Sequence, residues 1–438
     1  MRTPSIQSTI ESLTLPGGLP VMLLPRQGPA ILSARLSIRG GSGADPTGAR
    51  GAHQLLAGLM TRGCGDLDAE ALADLVEGAG AGLRAEAHED ALVVGLKCAA
   101  ADATSLLPLL LAMVRQPQLR PDQVDLERQL NLQTLQRQRE DPFQLAHDQL
   151  RHSLYGQGPY GHDPLGVEAE LESLAGSDLE PLVAGLGQNG AVMVLSGEIP
   201  ADLSDLLSEG LGGRPWPTAL PQRPAPGSAS ISIGGAAPAR LAQLEQDTEQ
   251  LVLMLGCPTV PLGHADAVAL RLLQAHLGLG MSSRLFVTMR EERGLAYDVG
   301  VHLPARCGAA PFVMHLSTSA ERAEEATHCL LQEWQRVREQ PLDGAELGLA
   351  LAKYRGQDAM GRQTCSQLAE RLALVLSHGL PIDHVERCLE QAEQLSAEAI
   401  RQAAATWLGQ PALSLVGPPA ALAAAARAWE AHPLGGAV

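Results

Sequence analysis

The chain runs twice through one order of elements, with a Pro-rich stretch between the two passes. From Ile31 to Arg39, Leu32, Ala34, Leu36 and Ile38 alternate with Ser33, Arg35, Ser37 and Arg39, which is the period of a half-buried strand. A Gly/Pro loop (40–51) follows, then an apolar helical pattern through Leu55, Leu56, Leu59 and Met60, and a second helix over Ala69–Gly78. Two alternating runs, LRAEAHE and ALVVGLKC, read as adjacent strands; Leu- and Gln-rich helices occupy 101–150, and AVMVLSG (191–197) is another strand. Residues 211–230 are rich in Pro, Gly and Ser and read as a linker. Beyond them the order recurs: strand LVLMLG (251–256), a Gly/Pro loop (257–263), a helix (264–277), paired strands near 296–304 and 311–318, long helices, and a final strand ALSLVG (412–417).

Leu32 aligns with Leu251 and Gly197 with Gly417, offsets of 219 (251 less 32) and 220 (417 less 197). A constant offset at both ends points to a duplication, although side-chain identity between the halves is slight and two α+β domains of similar order would match by chance in the same way. The expectation is an α+β chain: residues 1–210, a linker at 211–230, and residues 231–438, each half a mixed sheet flanked by helices. A chain of 438 residues, 45% of them hydrophobic, has ample material for such cores.

Charge and composition narrow the function. The formal charge is −17, and lysine occurs only at Lys97 and Lys353, so neither nucleic acid nor an anionic membrane surface is an expected partner. Aromatic residues make up 3%, which leaves a core of small aliphatic side chains and no stacking platform. The seven cysteines are odd in number, widely spaced and without a CxxC pair, as expected of reduced, mostly buried thiols. The first residues lack an apolar signal core, and no run approaches the ~18 apolar residues of a membrane span. A cytoplasmic location is the expectation.

The start of the first helix reads RGAHQLLAGLMTRG (50–63), and the segment LERQLNLQTLQRQREDP (126–142) follows. The first resembles the N-terminal half of the M16 (pitrilysin-like, inverzincin) metallopeptidases, whose motif is H-x-x-E-H with a ligand glutamate about 77 residues later. Histidines at i and i+4 share one helix face and can reach one zinc, and the intervening Glu activates the water bound there. In this sequence His53 stands at the first ligand, Leu56 at the general base and Ala57 at the second histidine. Glu127 and Arg128 match the start of the family's third-ligand helix, which places the ligand position on Thr134. A catalytic zinc needs three protein ligands, so the resemblance implies a chain that binds no zinc itself, with His53 kept as a polar or packing residue.

Other candidates are weaker. His147 and His152 lie five apart on a helix and splay by more than a right angle. His162 and Asp163 follow the loop YGQGPYG; with Leu154, Tyr155, Pro159, Tyr160 and Gly161 it resembles the family's L-Y-x-x-x-P-Y-G segment, whose implied role is structural. HLGLG (276–280) neither follows a strand nor ends in Lys-Ser/Thr, and so is not a nucleotide loop.

In the second half, QAHLGLGMSSRLFVTMREERGLAYDVG (274–300) resembles the M16 C-terminal signature through Ser282, Ser283, Arg284, Leu285, Phe286, Arg290, Gly294, Leu295, Ala296 and Tyr297. That resemblance implies that Arg290 and Tyr297 bind the substrate backbone and stabilise the oxyanion. A fixed cation and a directional phenol suit that role, at ~3–4 kcal/mol per donor. Arg290 falls on a helix that Gly294 ends, so Tyr297 at the next strand can converge on it. The plainer alternative pairs Arg290 with Glu291 or Glu292 and leaves Tyr297 as packing.

Taken together, the resemblance implies the non-catalytic, Arg/Tyr-bearing subunit of a heterodimeric M16B peptidase. Its zinc would be carried by a partner with H-x-x-E-H, and its substrate would be an extended or unfolded peptide. A purely structural or substrate-recognising M16-like subunit of a larger complex is the other class, and a homodimer in the partner's absence stays open.

Overall fold

The computed structural model describes residues 10–217 and 240–436, so the linker expected at 211–230 lies outside the described residues from 218 onward. The first half begins with strands β1 (Glu11–Thr14), β2 (Pro20–Pro25) and β3 (Ile31–Arg39), helix α1 (Ala52–Met60), and a short pair β4 (Gly63–Cys64) and β5 (Leu67–Asp68). Helix α2 (Ala69–Gly78), strands β6 (Gly82–Ala87) and β7 (Ala91–Ala99), and helices α3 (Ala103–Arg115), α4 (Pro121–Gln138) and α5 (Pro142–Tyr155) come next. It closes with α6 (Glu168–Leu171), α7 (Gly176–Gly185), β8 (Ala191–Gly197) and α8 (Leu203–Gly210). The second half holds β9 (Leu241–Glu245), β10 (Gln250–Pro258), α9 (Ala267–Gly278), β11 (Asp298–His302) and β12 (Pro311–Ser319). It continues through α10 (Ala323–Glu339), α11 (Gly344–Met360), α12 (Cys365–Ser377), α13 (His384–Gln394), α14 (Ala397–Trp407), β13 (Ala412–Gly417) and α15 (Pro419–Ala431).

Two mixed sheets result, in the order β1-β2-β8-β3-β7-β6 and β11-β12-β10-β13-β9. Each contains one parallel pair, β2 with β8 inside the first sheet and β13 with β9 at the edge of the second, among antiparallel neighbours, the α+β architecture expected. The residues that revealed the repeat occupy one structural place. Gly197 lies opposite Leu32 in the first sheet, and a Cβ on it would collide with the Ile31 carbonyl; a Cβ on Gly417 would sit 2.9 Å from the Gln250 carbonyl. Each glycine's own carbonyl accepts a 3.0 Å bond, from Arg26 N in the first sheet and from Gln246 N in the second.

The compact units are not the two contiguous halves. One comprises residues 1–135, 163–225 and 359–384; the other comprises 136–162, 226–358 and 385–438. Helix α12 therefore belongs with the first sheet and α5 with the second. This arrangement overturns the reading of β3 as a half-buried strand, because Ser33 and Ser37, expected to face solvent, are buried. On that second face Leu368, Ala369, Leu372 and Ala373 of α12 pack against Leu24, Val192 and Val194, each fully buried leucine contributing ~1.5–3 kcal/mol. The polar residues of β3 serve this helix. Arg35 donates to Ser366 Oγ at 3.2 Å, and Arg39 Nε donates to the Ser377 carbonyl at 2.5 Å, a cation at the negative end of the helix.

Helix α5 does the same for the second sheet. Asp141 caps it by accepting from Phe143 N at 2.9 Å, Pro142 opens it, and Gly156 (φ +56) ends it. Ala146, Leu150 and Leu154 pack on Val252, Met254, Val313, Ala412 and Val416, and the Ser414 hydroxyl donates to the Ala146 carbonyl at 2.8 Å. The opposite face of this sheet covers the larger aliphatic core, in which Trp334 and Phe312 meet edge to face. All seven cysteines are free, and burial pushes the Cys64 and Cys98 thiols up to about 11. No helix among the described residues is long and apolar enough to cross a membrane.

Candidate functional site

The degenerate motif lies on α1. His53 is buried, and its Nδ1 stands 2.6 Å from Asp45 Oδ1. Asp45, whose side chain is wholly buried, also accepts from His53 N at 3.1 Å and, through Oδ2, from Gly51 N at 2.8 Å, so one carboxylate caps the helix and orients the imidazole. The preceding loop is fixed by Glu170, which accepts from Gly48 N at 3.0 Å and Arg50 N at 2.8 Å and also binds the Arg50 guanidinium, so each group favours the other's charged form.

Leu56 and Ala57, one turn further along the same helix face, are fully buried in the core beneath the first sheet. On α4, Thr134 Oγ1 donates to the Leu130 carbonyl at 2.8 Å, a bond within its own helix. Glu127 is engaged by Arg62 at 3.1 Å, and its carboxylate lies so close to Gly58 that a Cβ there would collide with it. Of the four motif positions, one offers an imidazole, two are core hydrocarbon and one is a self-satisfied hydroxyl. This donor set does not fit a catalytic zinc.

The Arg/Tyr segment belongs to the other unit. After α9 the chain turns through 279–283 and enters a π-helix, Phe286–Glu292, where an α-helix would have been expected. Gly294 (φ +59) ends it in a conformation that favours glycine, and Leu295 N donates to the Met289 carbonyl at 2.6 Å. Leu285, Met289, Leu295 and Ala296 are buried, which leaves Arg290 and Tyr297 on the outer side. Tyr297 is 78% exposed, and its backbone N–H donates to the Ser317 carbonyl at 3.1 Å, joining it to the sheet.

The two side chains converge as the Gly294 break implies. Arg290 Nη1 donates to the Tyr297 carbonyl at 3.1 Å, and its guanidinium carbon lies 5.7 Å from the Tyr297 ring centroid and 4.9 Å from that of Phe286. Cation–π contacts of this kind suit arginine. Among the described residues no carboxylate, Glu291 and Glu292 included, pairs with Arg290. Phe286, four residues earlier on the same segment, is a component that the sequence reading did not assign; its i, i+4 spacing to Arg290 was the available signal. Nothing in the local sequence marks Asp45, which reaches His53 across a loop.

The remaining candidates hold the scaffold. Tyr155 donates to the Ala309 carbonyl and Tyr160 accepts from Gly308 N, both at 2.9 Å, so the Pro-Tyr-Gly loop clamps the 306–310 turn. His147 is half-buried and His152 exposed, on different sides of α5, and His162 is buried.

Comparison with known proteins agrees with this anatomy. Residues 21–166 match the family Insulinase (Peptidase family M16), and residues 186–354 match the Peptidase M16 inactive domain, together well over half of the chain. The chain is 24% identical over 426 residues to an uncharacterized zinc protease of Streptomyces coelicolor, covering 94% of this chain and 90% of that protein. It is 26% identical over 396 residues to one of Mycobacterium tuberculosis (89% of each), and 22% identical over 368 residues to the non-peptidase homolog YmxG of Helicobacter pylori (83% of each). Among solved structures, the peptidase M16 inactive domain from Pseudomonas fluorescens superposes with a TM-score of 0.84 at 22% identity, over 93% of this chain and 98% of that one. A protease from Helicobacter pylori gives 0.81 at 19% identity, over 93% and 99%. With both domain types matched in order and the two-sheet fold shared along almost its whole length, this chain belongs to the M16 peptidase family.

Proposed function

We propose that this protein is the non-catalytic, Arg/Tyr-contributing subunit of a two-subunit M16B zinc peptidase. One observation carries the reading: Arg290 and Tyr297 meet on an exposed surface with no carboxylate among the described residues on the guanidinium, while Leu56 and Ala57 of the zinc-motif positions lie in the core. A side chain kept only for packing would be buried, and a guanidinium kept only for stability would be paired. The names of two relatives, a non-peptidase homolog and an inactive domain, are consistent with a chain that does not hydrolyse peptides by itself.

The hydrolytic chemistry would belong to a partner that carries H-x-x-E-H. This chain's part would be to hold an extended peptide and to place the Arg290 N–H groups and the Tyr297 O–H against the carbonyl oxygen where negative charge develops. Donors of that kind act because they are oriented before reaction, at ~3–4 kcal/mol each.

The test is to purify the chain with and without its H-x-x-E-H relative, measure bound zinc and follow a quenched peptide. The chain alone should hold no stoichiometric zinc and cleave nothing; the pair should hold zinc and cleave the peptide. In the pair, Arg290→Ala and Tyr297→Phe should each lower kcat about a hundredfold. Cleavage by the chain alone would overturn the reading, and wild-type turnover in both variants would leave it a scaffold or substrate-recognising subunit.

A further inference from the structure

We propose that Arg284 and Glu333 are positioning residues for the Arg290/Tyr297 pair, holding the π-helix in register on α10. This inference rests on the reading that the pair acts on substrate, but its structural part can be measured without it.

Both side chains of the pair are exposed, so burial does not fix them. Their placement comes from the segment beneath, and that segment is secured to α10 and to the turn before it at both ends. At the start, Arg284 grips Glu333 of α10 in a two-pronged bond, Nε to Oε2 at 2.9 Å and Nη2 to Oε1 at 2.8 Å. At the end, Arg322 Nη2 donates to the Arg293 carbonyl at 3.2 Å and is itself held by Glu325 of α10 at 2.9 Å. Glu333 is 5% exposed, so its charge is tolerated only through its partner, and the fork allows essentially one orientation of the Arg284 plane.

The π-helix itself needs such an anchor. Its wider turn is less favourable than an α-helix and leaves Thr288 Oγ1 buried without a hydrogen-bond partner. If the segment relaxed to α-helical winding, Arg290 would rotate relative to Tyr297, because each residue would then advance by 100° rather than by the smaller π step. The apolar contacts of Leu285 and Met289 favour burial of the segment but do not by themselves select a winding. A bidentate ion pair does select one, because its geometry tolerates little rotation.

The experiment separates positioning from stability. Arg284→Leu combined with Glu333→Leu removes both charges together, and such replacements of buried pairs are often neutral or stabilising. The double variant should melt close to the wild type. Amide exchange over 286–292 should nevertheless quicken about tenfold or more, and the Arg290 Nε–H resonance, which the Phe286 and Tyr297 rings beside it should shift in the wild type, should move towards its free position. Arg284→Lys, which keeps the charge and loses the fork, should show the same two changes, and Phe286→Leu serves as a control that moves the resonance alone. In the complex with the zinc-bearing partner, the double variant should lower kcat by about ten- to a hundredfold with little change in KM. Unchanged exchange and an unmoved Arg290 resonance in a folded double variant would overturn the proposal. Changed exchange with unaltered turnover would also overturn it as a positioning role and would count against the proposed function, whereas turnover lost in Arg290→Ala but kept in the double variant would overturn the positioning role alone.

Discussion

At the scale of single residues, the positions that resemble the zinc motif each carry a structural duty in this fold. Leu56 belongs to the core under the first sheet, so Leu56→Glu would bury a carboxylate among aliphatic side chains. The expected result is destabilisation by at least about 3 kcal/mol, read from the urea midpoint, with no zinc gained. Asp45 is a structural centre that accepts from Gly51 N, His53 N and His53 Nδ1. Asp45→Ala should cost about 2 kcal/mol or more, whereas His53→Gln should cost less than half as much; equal losses would show that the imidazole, and not the helix cap, is the main partner. The Arg290/Tyr297 juxtaposition was legible in the sequence because Gly294 punctuates it. Asp45 was not, because its partners lie six and eight residues away across an irregular loop.

At the scale of elements, strands and helices followed their apolar periods, and the misjudged features were those that depend on a neighbour. The alternation in β3 is real, yet both faces are buried, since α12 returns from more than three hundred residues away to cover Ser33 and Ser37. The π-helix was equally hidden, because side-chain spacing does not distinguish it from an α-helix over two turns. Gly294→Ala should destabilise by about 1 kcal/mol through its positive φ, and it should disturb Arg290 more than the rest of the domain.

Helix α5 supplies a pH prediction at this same scale. His147 Nδ1 accepts from Arg151 at 2.9 Å, and its ring meets His302 edge on at 5.7 Å. Burial first, then the cations Arg151 and Arg306 and the imidazoles of His302 and His315, pushes its pKa down to about 3. His315 moves in the same direction by burial, opposed by Asp298. Because the unfolded histidine takes its proton near 6.5, the unfolded state binds more protons below that pH, and stability is lost as pH falls from about 6.5 towards 3. His147 alone should cost about 2 kcal/mol between pH 6.5 and pH 5. Thermal melts across that range should fall in the wild type and fall less steeply in His147→Gln; parallel slopes would remove His147 as the cause.

At the scale of the whole molecule, the units are assembled from segments of both halves. Residues 1–217 made alone carry the first sheet without α12, so Leu24, Val192 and Val194 lose their cover. That fragment should be poorly soluble or melt without cooperativity, and co-expression with residues 240–438 should restore a cooperative transition. A cooperative melt of the fragment alone at the temperature of the intact chain would show that α12 is dispensable.

By itself the sequence determined the two-pass order of elements, the strands and helices that follow a periodic apolar pattern, and the convergence of Arg290 and Tyr297 across the Gly294 break, because each is encoded in residues near one another along the chain. Only the tertiary structure decided which sheet each of α5 and α12 covers, that Arg39 would bind a helix end, that Asp45 would hold His53, and that α10 would grip the segment bearing Arg290. Those partners lie eight to more than three hundred residues apart, and the energy that selects them comes from desolvation and hydrogen-bond geometry, which exist only once the chain has closed on itself.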